Sequence, residues 1–241
     1  MNHQPATDIA VFSFGRAGSQ RCPNKMLRPL AGTTLSDILL AKLARCHHPT
    51  FFAGYEPEFR TLCHNHGIRF VQRDERSVTI DEPIVEILSF LKPLEFTHFL
   101  CVNASLPFLE VETITAFLDD CLAHQSQPAF GVIRKTNHLM SLERRPLNFD
   151  ITAHTINTKT VQPVLEFAHA LYFFSKDYLF REGTYWDWNT VRLIELPGKL
   201  QTVDVDTEED SGLPRHSGPA FTVLSNRKRQ VRSTPSPSPR P

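Results

Sequence analysis

The chain has 241 residues, 26 Lys or Arg against 26 Asp or Glu, and 41% apolar residues, the make-up of one globular domain with a real core. No apolar run reaches the roughly 18 residues of a membrane-spanning helix, and the start "MNHQPATD" lacks the pattern of a signal peptide, so no membrane partner and a cytoplasmic location are expected. The neutral total hides a split: residues 211–241 hold six basic residues and no acid, leaving 20 basic and 26 acidic residues in 1–210, a net of −6.

"IAVFSF" (9–14) reads as a buried strand, and the chain leaves it through "GRAGSQRCPNKMLRPLAG" (15–32), too long and too basic for a bare turn. "TTLSDILLAKLARC" sets Leu35, Ile38, Leu39 and Leu43 at helical spacing behind hydroxyl and acidic caps. "TFFAG" (50–54) is a short strand, and "EPEFRTLCHNHG" is a helix with Pro57 early and Gly67 just beyond. "IRFVQ" (68–72) is a third strand. "DEPIVEILSFLKP" predicts a helix with Asp81 as cap and Pro83 in its first turn. "THFLCVNA" (97–104) is a fourth strand, "EVETITAFLDDCLAH" a helix and "AFGVIRK" (129–135) a fifth strand. From 136 to 163 the periodicity is lost, as for an insertion, a flap or a dimerisation element. "HALYFFSKDYLF" (169–180) gives a strand and a short helix, "VRLIELP" (191–197) another strand, and "TVDVDTEED" (202–210) a final strand ending in acids. Alternating strands and helices predict one α/β domain, its mostly parallel sheet covered by helices on both faces. Ligands are then expected beyond the carboxyl ends of the strands.

Five cysteines at irregular spacings argue against a disulfide framework. "CHNH" (63–66) lacks a second ligand pair and reads as a solvated helix end rather than a zinc site. The loop after the first strand carries Gly15, Gly18 and Ser19 among Arg16, Arg21, Lys25 and Arg28. Backbone N–H groups in such a loop can cradle an anion, and the cations supply charge for polyphosphate; a solvated basic loop is the plain alternative. Asp204 and Asp206, two positions apart, leave a strand on one face, so that at its end both carboxylates can reach one hard cation; a solvated acidic turn is the plain alternative. A phosphate loop paired with Mg²⁺ is equipment for transfer from a nucleoside triphosphate.

With a third stretch added, the chain resembles the acylneuraminate cytidylyltransferases. Arg16, Gly18, Ser19 and Lys25 stand at the spacing of the family's opening Arg-Gly-Gly-Ser-Lys…Lys motif. "NASLP", with Asn103 and Pro107, is similar to its "QPTSP". "RDERSVTID" is similar to its Arg-rich strand end, here Arg73, followed by a helix-opening Asp, here Asp81. "VDVDTEED" is similar to its metal-binding acids, here Asp204, Asp206 and Asp210. The resemblance runs through residues 8–210. Ala17, Gln20 and Met26 stand where the family carries Gly, Lys and Asn, and Gly54-Tyr55 where it carries Thr-Asp.

The resemblance implies a nucleotide-diphospho-sugar-transferase-like domain that joins CTP to a nine-carbon 2-keto sugar acid, giving the CMP-sugar and pyrophosphate. It implies that Arg16, Gly18, Ser19, Arg21, Lys25, Arg73, Asp81 and Asn103 hold the nucleotide. Arg16 and Lys25 would act with Asp204 and Asp206 in catalysis. Pro107, Glu166 and His169 would face the sugar, and Asp204, Asp206 and Asp210 would hold Mg²⁺. It further implies a homodimer built from 136–163; no nucleic-acid partner is expected, a basic tail that binds nucleic acid or an anionic surface being the alternative. Another acid sugar (legionaminic, pseudaminic or eight-carbon) is the alternative acceptor.

Residues 211–241 read as a disordered basic Pro/Ser-rich tail. Relatives continue past the acids with an apolar helix much like "DFRLAEAL". The codon string TCC GGC TTG CCG AGG CAC TC encodes Ser211–Ser217; with one T in front it encodes Phe-Arg-Leu-Ala-Glu-Ala-Leu. The tail is therefore expected to be an out-of-frame translation, and a non-catalytic remnant of the family is the rival to an active enzyme.

Overall fold

The computed structural model describes residues 8–18, 22–30, 32–79, 82–124 and 127–205. One seven-stranded sheet runs through them in the order β3-β2-β1-β4-β6-β5-β7. β1 (Ile9–Phe14), β2 (Thr50–Gly54), β3 (Arg69–Gln72) and β4 (His98–Val102) pair in parallel. β6 (Val164–Ser175) runs antiparallel between β4 and β5 (Ala129–Lys135), and β7 (Arg192–Glu195) joins β5 in parallel. The helices are α1 (Leu35–Leu43), α2 (Pro57–His66), α3 (Ile84–Ile87), α4 (Val111–Ala123) and α5 (Lys176–Glu182).

Two cores follow from the alternation of side chains along each strand. Ile9 and Val11 of β1 join Leu35, Leu39 and Leu43 of α1, Phe59 of α2 and Phe117 of α4. Their neighbours Ala10 and Phe12 face the opposite side, among Phe51, Leu91, Phe99, Phe174 and Leu179. The Phe12 ring stacks on Phe51 at 5.2 Å and meets Phe99 edge-on at 5.7 Å. Each such ring, fully buried, contributes about 1.5 to 3 kcal/mol. Helices thus cover both faces of a mostly parallel sheet, as the alternation predicts. No helix among the described residues is long and apolar enough to cross a membrane.

Local signals act where they were expected. The Thr34 hydroxyl accepts the Asp37 N–H at the start of α1, and Gly67 ends α2 with φ 68°. All five cysteines are free thiols. In "CHNH", His64 is exposed as predicted, but Cys63 is buried and His66 lies 3.0 Å from Asp37. No group of three metal-ligating side chains occurs among the described residues.

Three expectations are corrected. Residues 82–93 form no continuous helix: α3 is a single turn with Pro83 at its cap, and Ser89–Leu91 form a tighter 3-10 turn. In that turn residues three apart eclipse, so Leu88 and Leu91 both reach the core, at 1% and 0% exposure. The sixth strand begins at Val164, not 169, because β5 offers it a partner as far as Lys135. No strand runs through 202–205: Leu200–Thr202 is a 3-10 turn, and Val205 is tied by its N–H to the Ser105 carbonyl at 3.0 Å.

β6 is interrupted by a bulge. Phe130 pairs with Tyr172, but Val132 pairs with Phe167, so a two-residue step on β5 is matched by five residues of β6. His169 within the bulge adopts φ 49°. The segment 136–163 is irregular, apart from a 3-10 turn at Thr158–Thr160 and a bridge between Met140 and Pro146. Its ends are stapled by buried Asn148, whose Oδ1 accepts the Leu139 N–H at 2.8 Å. The Asn148 Nδ2 donates to the carbonyls of Asn137 and Gln162 at 2.8 and 3.0 Å.

Candidate active site

A cleft of about 630 Å³ opens at the carboxyl ends of β1, β3 and β4, against the middle of β6. The loop after β1 brings Gly15, Arg16, Lys25 and Met26 to it, and the segment after β3 brings Arg73, Ser77 and Val78. Asn103 and Ser105 follow β4; Tyr172 and Phe174 of β6 and Tyr185 form the aromatic wall. Gly15 is dictated by close approach: a Cβ there would come within 3.0 Å of the buried Phe52 ring. Neither Ala17 nor Gly18 has a positive φ, so the Ala at 17 costs this backbone nothing.

The loop is fastened on several sides. The Gly15 N–H donates to the Ala53 carbonyl at 3.0 Å, and the Asn24 N–H to the Ala17 carbonyl at 3.1 Å. The Ala17 N–H donates to Glu56 Oε1 at 2.8 Å. Arg16 Nη1 donates to the Val78 carbonyl at 2.5 Å. Arg73 is 3% exposed. Its guanidinium donates to the hydroxyl and carbonyl of Ser77 and, at 3.3 Å, to the Gly15 carbonyl, and lies over the Phe14 and Phe90 rings. Burial, then the neighbouring Arg16 charge, pull Arg73 down to about 10; Glu56 and Asp74 oppose this. Cations crowded in a partly dry cleft gain from a bound polyanion.

Residues 204 and 205 approach the same place. Lys25 Nζ donates to the Val205 carbonyl at 3.3 Å, across 180 positions of sequence. Asp204 lies close enough to Tyr172 for its charge to help raise the phenol, after burial and the nearby Cys101. Its Oδ1 is shielded from solvent. One hard carboxylate donor beside the cleft fits a divalent cation; Asp206 and Asp210 lie outside the described residues.

Arg16, Lys25, Arg73 and Asn103 therefore meet in one cleft, with Asp204 beside it. Gly18 is exposed and off the lining; Ser19, Arg21 and Asp81 lie outside the described residues. Asn103 Nδ2 donates to the His169 carbonyl at 2.6 Å and its Oδ1 accepts the Ser105 N–H at 2.9 Å, which fixes the amide to the β6 bulge. His169 is exposed and off the lining, its Nδ1 2.8 Å from the Tyr172 hydroxyl. Pro107 is buried away from the cleft and Glu166 is paired with Lys135 at 2.8 Å, so neither lines it. The Pro107 and Leu106 carbonyls each accept from Lys42 Nζ at 2.8 Å, and burial draws that ammonium down to about 7. Sequence reasoning missed Glu56, Ser77, Tyr172 and Tyr185. The alternation of Tyr172 and Phe174 along β6 was the available signal for the aromatic wall.

Residues 14–185, well over half of the chain, match the family model described as Cytidylyltransferase. No curated protein matches the sequence. Among solved structures the fold is similar to CMP:2-keto-3-deoxy-manno-octonic acid synthetase complexed with CTP (TM-score 0.58, 11% identity, 92% of this chain and 99% of that one). It is similar also to 4-diphosphocytidyl-2C-methyl-D-erythritol synthase from Anaerococcus prevotii (TM-score 0.56, 13% identity, 92% and 96%). A cytidylyltransferase from Leptospira borgpetersenii is a third (TM-score 0.57, 11% identity, 96% and 100%).

Proposed function

This chain belongs to the cytidylyltransferase family, and we propose that it joins CTP to a nine-carbon, sialic-acid-like 2-keto sugar acid. The products are the CMP-sugar and pyrophosphate. The observation that carries this reading is the meeting of Arg16, Lys25 and Arg73 in one cleft, with Lys25 bound to the Val205 carbonyl next to Asp204. The sugar's anomeric hydroxyl attacks the α-phosphorus and the bond to the β-phosphate oxygen breaks. Arg16 and Lys25, with Ser19 and the loop amides, hold the triphosphate and stabilise the charge that grows on the departing pyrophosphate. The wall of Tyr172 and Tyr185 leaves an apolar face with hydroxyl groups for the base or the sugar ring. His169, in contact with the Tyr172 hydroxyl, sets that hydroxyl's orientation.

Asp204, with Asp206 and Asp210, is proposed to hold Mg²⁺. The ion, when bound, supplies charge neutralisation and acidifies the attacking hydroxyl. Asp206→Asn should move the Mg²⁺ titration to much higher concentration, and an unchanged titration removes Asp206 from the ligand set. A second reading, transfer to an eight-carbon acid, enters because one similar structure is named for such a substrate.

Pyrophosphate release from CTP, measured over a panel of sialic, legionaminic, pseudaminic and eight-carbon acids, separates these acceptors. Turnover with the eight-carbon acid alone replaces the first reading by the second. A folded protein that binds CTP and turns over none of them supports the remnant reading. The tail 211–241 lies outside the described residues. Resequencing the gene decides its frame: an intact frame without the restored helix ends the out-of-frame proposal.

A further inference from the structure

We propose that Glu56 is the positioning residue of the loop after β1. Its carboxylate holds the loop backbone in the shape that receives the triphosphate. The inference rests on reading that loop as the triphosphate cradle.

Glu56 stands at the N-cap of α2 and makes no side-chain bond to its own helix amides. It reaches instead across 39 positions of sequence to the Ala17 N–H, at 2.8 Å. Glu56 Oε2 is buried and has no hydrogen-bond partner among the described residues. An acid held this way is costly unless its surroundings are positive. They are: the α2 N-terminus lies beneath it, and its charge acts on the buried Arg73. Arg73 in turn donates to the Gly15 carbonyl at 3.3 Å. The loop is thus gripped at two successive peptide groups, a carbonyl at 15 by a cation and an N–H at 17 by an anion. Arg16, between them, is left to lean on the Val78 carbonyl at the cleft wall. A charge-assisted bond to a backbone amide is stronger than a neutral one and fixes the peptide plane. With that plane fixed, the Gly18 amide that follows is set before a ligand arrives, which lowers the cost of ordering on binding. Glu56 touches neither nucleotide nor sugar in this arrangement; it works through Ala17.

The test uses the full chain and two variants. Glu56→Ala should raise the KM for CTP about 10-fold to 100-fold, the range that one charge-assisted hydrogen bond supplies, while kcat stays within a few fold. Glu56→Gln keeps an acceptor oxygen and should recover most of the loss. Hydrogen exchange should quicken in the peptide covering residues 14–18 of the Ala variant and not in the strands around it. An unchanged KM, or tighter CTP binding that would mark the carboxylate as a competitor of phosphate, overturns the proposal. So does unchanged exchange in that peptide. If the parent protein shows no CTP binding by calorimetry, the cradle reading fails. The exchange comparison then still decides whether Glu56 positions the loop.

Discussion

Lys25 carries little of the fold and much of the proposed chemistry. It sits on a loop, half-buried, with its ammonium against the Val205 carbonyl. Lys25→Ala should therefore lower turnover by about a hundredfold or more, the scale of one preorganised charge contact, and leave the melting temperature nearly unchanged. Turnover within a few fold of the parent removes Lys25 from the cradle. Lys42 behaves oppositely. Its pKa falls from 10.5 to about 7 on folding because it is buried. Between those values the unfolded chain holds a proton that the folded one has lost, so this group makes stability rise with pH. The full cost is present below about 7 and is relieved toward 10.5. The slope is up to about 1.4 kcal/mol per pH unit for one proton. Denaturant melts of the parent and Lys42→Met at pH 7 and pH 9 check it: the variant should lose most of the slope, and an identical slope refutes the assignment. At this scale a basic strand-end loop was enough to bring Arg16 and Lys25 to the cleft, and the family resemblance added Arg73, which lines it too. The sequence was silent on Glu56, because an acid ahead of a helix-opening proline looks like an ordinary helix start. Pro107 and Glu166, named from the resemblance, do not line the cleft.

Elements with strong period were readable to within a residue or two: β1, β2, α2 and α4 need only apolar spacing, Pro57 and Gly67. Segments whose shape is set by distant contacts were not. Residues 82–93 break into two turns because their apolar side chains answer to the core rather than to one helix face. The stretch 202–205 is held by Ser105 and Lys25, not by a strand partner. The irregular 136–163 depends on one side chain in the same way. Asn148→Ala removes three hydrogen bonds and strands the Leu139 N–H and two carbonyls. A loss of about 1 to 3 kcal/mol is expected for a buried group left unsatisfied. Limited proteolysis should then cut faster within 138–162, while KM for CTP holds. Equal cleavage rates would mean that the segment is ordered by something other than Asn148.

For the molecule as a whole, the segment 136–163 displays Leu142 at 99% and Ile156 at 92% exposure. We propose that the homodimer implied by the family resemblance packs through this segment. Leu142→Glu combined with Ile156→Glu should halve the mass seen by sedimentation without lowering the melting temperature of the domain. A parent that sediments as a monomer at micromolar concentration ends that proposal.

The sheet also dictates an order of assembly. Within the described sheet, β5 and β7 join the four parallel strands through β6, which pairs with β4 on one side and β5 on the other. A growing chain that has made β1 to β5 thus has one strand with no neighbour, until residues 164–175 arrive and zip both seams together. That same strand supplies Tyr172 and Phe174 to the cleft. Nucleotide binding therefore reports a long-range event of folding that follows the placing of β1 to β5. During refolding, capacity to hold nucleotide should return after the fluorescence and exchange signals of the N-terminal half have already settled.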